Sequence, residues 1–174
     1  MGFTIIELMV AVAVLAILVS LAAPSMRATL QNNRATAQAN QLVTALNLAR
    51  SEAVKRGSIV AVCSSENGNG CRSNEAFDWS DGWILFDDNN DALIGDPVIN
   101  SPDEVLRAWG ALAGDTTLGP NSGSGFARFG PQGRLIGANT EVFQLRIPGC
   151  SGDQNRDITV RASGRVQSER VDCS

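Results

Sequence analysis

The chain has 174 residues, a formal charge of −4 and a pI near 4.8, enough for one small domain beside a long helix and the wrong footprint for a nucleic-acid binder. The charge is uneven: residues 1–56 carry five basic and two acidic side chains, 57–122 two and eleven, and 123–174 seven and five. There is no His and no Tyr, so the histidine-based acyl-transfer arrangements cannot be assembled, and the reading is of a non-enzyme without cofactor or metal.

The chain opens on Gly2-Phe3-Thr4-Ile5-Ile6-Glu7 and runs into an apolar stretch over 8–23. No charge occurs between Leu8 and Met26, close to the ~20 residues that cross a bilayer's hydrocarbon core. Glu7 is the anomaly. A carboxylate within that layer costs roughly 2.5 to 3.5 kcal/mol on insertion scales, so a chain that keeps one there is expected to give it a partner.

These residues resemble the N-terminus of type IV pilins and of the pseudopilins of type II secretion, where a glycine precedes the peptidase cleavage site, a phenylalanine follows, and a glutamate stands five residues into the mature chain. Gly2, Phe3 and Glu7 match in order and spacing. The resemblance implies that 1–2 are a residual leader, that Gly2 and Phe3 flank the cut made by a prepilin peptidase, and that the new amine is methylated. It implies that Glu7 pairs with that amine on a neighbouring subunit during assembly. A buried ammonium and carboxylate are each costly alone and tolerable together.

Past Pro24, where a kink is expected, the helix continues to Arg56 and stops at Gly57. Segment 3–26 reads as the transmembrane and filament-core part, and 27–56 as its amphipathic continuation. Leu42, Ala45, Leu46, Ala49 and Ala53 form a narrow stripe to lie on a domain, with Asn47, Arg50, Ser51 and Lys55 outside. Asn47-Leu48-Ala49-Arg50-Ser51-Glu52-Ala53 is similar to a segment of the GspH/FimT (FimU-like) group of minor pilins.

Residues 57–174 read as a periplasmic β-rich domain, giving an α+β fold: a long N-terminal helix packed on an antiparallel β-sheet domain, type IV pilin-like. Strands are expected at 58–63, 82–86, 105–109, 125–129, 142–147 and 157–161, with a turn over 87–91 and a loop over 116–125. Trp83-Ile84-Leu85-Phe86-Asp87-Asp88-Asn89 again resembles the GspH/FimT domain, where a tryptophan strand leads into an acidic turn. Asp87-x-Asn89-x-Asp91 imitates an EF-hand opening, but Ala92 stands where Gly is needed and Val98 where the bidentate Glu is needed. A plain turn is the reading.

Four cysteines behind an export-type N-terminus point to an oxidising compartment. Of three connectivities, Cys63 with Cys71 and Cys150 with Cys173 are chosen, each pair nearest in sequence and the first bracketing a turn-rich Asn-Gly stretch.

Near the C-terminus, Gly164-Arg165-Val166-Gln167 partly matches a Gly-Arg-x-Arg motif of FimT-type pilins that take up DNA, with Gln167 in place of the second Arg. Arg161, Arg165 and Arg170 are the candidate DNA-binding residues, and DNA is not the favoured partner. The resemblance implies a minor pilin in the priming or tip complex of a type IV pilus, serving twitching, adhesion or DNA uptake. Its expected partners are other minor and major pilins, the prepilin peptidase and the inner membrane, with location first in that membrane and then at the pilus tip. The alternatives are a DNA-binding minor pilin for natural transformation and a minor pseudopilin of a type II secretion system.

Overall fold

A computed structural model describes residues 4–72, 78–88, 104–121 and 125–173, with backbone alone at 21–25. Helix α1, Ile5–Arg56, is a single 52-residue element. Thr4 caps it in extended backbone, its hydroxyl accepting from the Glu7 amide at 3.3 Å. Gly57 ends it: at φ 68 it takes the left-handed conformation that lacks a Cβ penalty, and its amide closes onto the Ala53 carbonyl at 3.0 Å. The kink expected at Pro24 falls within 21–25, where the backbone is helical.

The two halves of the helix have opposite surroundings. Every residue from 4 to 20 is exposed, Ile5 at 81% and Leu8 at 61%. From residue 35 onward one stripe is buried: Ala35, Ala39, Leu42, Ala45, Leu46, Ala49 and Ala53 are each 1% exposed or less. Steps of three and four place them on one face, and the single methyl of alanine lets the helix backbone come close to the sheets.

Among the described residues nine strands follow: β1 Val60–Ser64, β2 Trp83–Asp87, β3 Glu104–Trp109, β4 Thr117–Pro120, β5 Phe126–Phe129, β6 Leu135–Ile136, β7 Thr140–Arg146, β8 Asn155–Arg161 and β9 Val166–Val171. They pair antiparallel into a five-stranded sheet, β3-β2-β1-β5-β6, and a four-stranded sheet, β4-β7-β8-β9. The helix lies against β1, β2 and β5 of the first sheet and β8 and β9 of the second. Every residue of β1 and β2 is buried, as their continuous apolar runs require. In β7, by contrast, Glu141, Phe143 and Leu145 are buried while Val142, Gln144 and Arg146 are half-exposed, the period of two of a sheet with one face in the core. Trp79 fills the middle of that core, edge-on to Phe143 with ring centroids 4.8 Å apart.

This is the α+β layout expected, with three strands more than the sequence announced. The stretch 116–125, read as a loop, contains β4. Its Thr-Leu-Gly-Pro composition favours a turn, but pairing with β7 sets Leu118 opposite Leu145 and buries it to 1% exposure. Pro120 is tolerated because it ends an edge strand, where a missing N–H removes no ladder bond. The turn read over 87–91 is corrected in part: Asp87 is the last residue of β2, while 89–91, like Ala92 and Val98, lie outside the described residues.

Candidate functional site

At the N-terminus, Gly2 and Phe3 lie outside the described residues. Glu7 is exposed in the first turn of α1, among Ile5, Ile6, Leu8, Met9 and Val10, each exposed by 61% or more. Among the described residues no helix is long and apolar enough to cross a membrane; the apolar run with described side chains stops at Ser20, short of a bilayer's span. These side chains have no surroundings of their own, yet full burial of each is worth roughly 1.5 to 3 kcal/mol.

At the other end of the chain, β8 and β9 form a hairpin closed by Arg161 N donating to the Arg165 carbonyl at 2.9 Å and Gly164 N to the Arg161 carbonyl at 2.7 Å. Arg161 and Arg165 are thereby brought face to face at its end, and both are exposed. Arg170 is not with them. Five residues beyond Arg165 it points to the opposite face of the sheet, in register with Arg156 and 3.5 Å from the Asp153 carboxylate. Gln167, which stands where the second motif arginine would be, instead accepts a hydrogen bond from Arg161 Nε at 3.3 Å.

Gly164 has a packing role of its own. Its φ is +76, and a Cβ there would overlap the Gly133 carbonyl oxygen. That same oxygen accepts from Arg50 Nε on the helix at 3.1 Å. One contact therefore joins the hairpin tip, the β5–β6 turn and α1.

The remaining candidate chemistry is structural. The Asp87 carboxylate accepts from Ser58 Oγ at 2.8 Å and from Arg56 at 3.2 Å, and Asp88 pairs with Arg128 at 2.9 Å, both side chains 6% exposed. Arg56 also bonds Glu52 at 2.9 Å, and that bond holds the Glu52 carboxyl below its usual range. The two acids read as a turn thus fasten strand ends to the helix C-terminus and to β5. No cluster of metal-ligating side chains occurs among the described residues. The structure joins Cys63 to Cys71 and Cys150 to Cys173.

The profile of the family described as Type II transport protein GspH matches residues 38–164. The chain belongs to the GspH family. The prokaryotic N-terminal methylation motif matches residues 2–23, so the GspH domain here follows a pilin-type N-terminus. Crystal structures of the type IV minor pilin FimU of Pseudomonas aeruginosa share the fold. One crystal form gives a TM-score of 0.61 at 20% identity over 82% of this chain and 96% of FimU, and a second 0.57 at 20% over 80% and 99%. No curated protein matches the chain.

What sequence reasoning missed in this GspH domain is how the helix is fastened to it. Arg156 is 4% exposed. Its Nη1 donates to the Asp153, Gln154 and Asn155 carbonyls at 2.8, 2.9 and 2.8 Å, and its Nη2 to Asn32 Oδ1 at 2.5 Å and Thr36 Oγ1 at 3.2 Å on the helix. Burial, then the nearby Arg170 charge, push its pKa down. Gln154 Nε2 adds a bond to the Ala28 carbonyl at 3.2 Å. In the sequence Arg156 is one arginine of thirteen, and nothing beside it marks burial.

Proposed function

We propose that the chain is a minor pilin of a type IV pilus, one of the subunits that together prime and cap the filament. The observation that carries this reading is the division of α1. Along its last third one stripe is buried against the β domain, while residues 4–20 are exposed and, apart from Thr4, Glu7 and Ser20, wholly apolar. Such a segment calls for a lipid bilayer first and the helices of other subunits afterwards. Segment 3–26 would hold the subunit in the inner membrane as a single pass, with 27–56 and the β domain over 57–174 in the periplasm. Cleavage after Gly2 and methylation of Phe3 would supply the amine that Glu7 meets on a neighbour.

The test is co-purification of the full-length chain with the other minor pilins of its organism, beside Glu7→Val. The wild-type chain should be recovered in a defined complex. Glu7→Val should be processed and stable, since the change removes a charge from an apolar segment, yet enter filaments poorly. Normal incorporation of Glu7→Val sinks the charge-pairing role.

The GspH match favours a second reading, a minor pseudopilin of a type II secretion system. Recovery with secretion pseudopilins in place of pilus subunits would select it. The DNA-receptor reading draws less support, because the register of β9 parts Arg170 from Arg161 and Arg165.

A further inference from the structure

Asn67-Gly68 and Asn69-Gly70 stand back to back in the loop that the Cys63–Cys71 bond closes, and they are the chain's two Asn-Gly pairs. Asparagine before glycine is the pairing most open to spontaneous deamidation, because a residue without a Cβ lets its backbone nitrogen swing onto the preceding carboxamide. In that step the glycine nitrogen gives up its proton and bonds to the asparagine Cγ, and the side-chain nitrogen leaves as ammonia, closing a five-membered succinimide. Water then opens the ring at either carbonyl, leaving aspartate or isoaspartate. The net change is amide plus water to carboxylate plus ammonium, with no oxidant or enzyme.

The two pairs have unlike surroundings. At Asn67 both reacting groups are engaged: the Gly68 amide donates to Ser65 Oγ at 3.0 Å, and the Asn67 carboxamide oxygen accepts from the Asn69 amide at 2.9 Å. Ser65 is a firm anchor, since it is 2% exposed and its hydroxyl donates in turn to the Gly70 carbonyl at 2.6 Å. At Asn69 neither group is held. The side chain is exposed, neither its carboxamide nor the Gly70 amide has a hydrogen-bond partner among the described residues, and the space where a Gly70 Cβ would stand is open to 4 Å.

We infer that Asn69 is a deamidation site of the folded chain and that the Ser65 hydroxyl protects Asn67. Conversion places a new carboxylate three residues from Glu66, on a loop whose Gly68 lies against Ala108 of β3. A subunit kept outside the cell would therefore gain negative charge on this loop with age.

The test uses the full-length, disulfide-bonded chain in detergent, incubated in mildly alkaline buffer. Peptide mapping by mass spectrometry follows both asparagines, each rate being referred to the same site in the reduced, unfolded chain. Asn69 should convert about two- to tenfold faster than Asn67, the ratio that one hydrogen bond supplies. Ser65→Ala frees the Gly68 amide and should raise the Asn67 rate toward that of Asn69. Equal rates in the folded wild-type chain, a faster Asn67, or an Asn69 that stays intact while the unfolded chain converts would each overturn the assignment. An Asn67 indifferent to Ser65→Ala would remove the protective role of the hydroxyl.

Discussion

Gly164 shows what a single residue decides in this protein. In the sequence it opens a partial Gly-Arg-x-Arg motif; in the structure it is the point where the hairpin tip touches the Gly133 carbonyl beneath Arg50. Gly164→Ala meets two penalties, the left-handed backbone and the overlap with that carbonyl, so urea denaturation should show a loss of about 1 to 3 kcal/mol. An unchanged midpoint would mean the turn moves aside freely. The Asp88–Arg128 pair is the second such point. Two side chains at 6% exposure and 2.9 Å apart add little net stability as a pair, but removing one strands the other, so Asp88→Ala should cost about 3 to 5 kcal/mol in the same measurement. Asp88 was legible as an acid near a turn. Its burial was not, because its partner lies forty residues on, in β5.

Among the elements, α1 was the most legible and β4 the least. A helix writes its packing in its own periodicity: residues 42, 45, 46, 49 and 53 repeat at steps that only one face can collect, and all five are buried. The short strand β4 carries no such signature, for its extended form comes from the ladder with β7. The last strand, β9, depends on its surroundings too. It pairs with β8 from Val166 to Val171, and just beyond it Cys173 is bonded to Cys150 while its amide donates to the Gly152 carbonyl at 2.8 Å. Cys173→Ser should therefore loosen the C-terminal end of β9 and lower stability by about 2 to 4 kcal/mol. Thermal melting of the oxidised chain would show this as a lower Tm, and an unchanged Tm would show that the ladder holds the strand unaided.

At the scale of the whole molecule, charge separates assembly from DNA capture. The net charge is −4, and the hairpin gathers Arg161 and Arg165 without Arg170. Duplex DNA should consequently give no electrophoretic shift near physiological salt, where counterions outcompete a pair of arginines for the phosphates. A shift that disappears in Arg165→Ala would reverse that ranking. By itself the sequence determined what local pattern can encode: the processing motif, the apolar segment with its lone Glu7, the long helix and its buried stripe, and an antiparallel β domain behind it. The tertiary structure alone decided which distant groups meet: Arg156 with Asn32 and Thr36, Arg50 with the Gly133–Gly164 contact, Asp88 with Arg128, and β4 with β7. The physical reason is one of range. Helix periodicity and turn chemistry act over a few residues, whereas a buried cation ringed by carbonyls has its partners chosen by the path of the chain and leaves no mark on its neighbours in sequence.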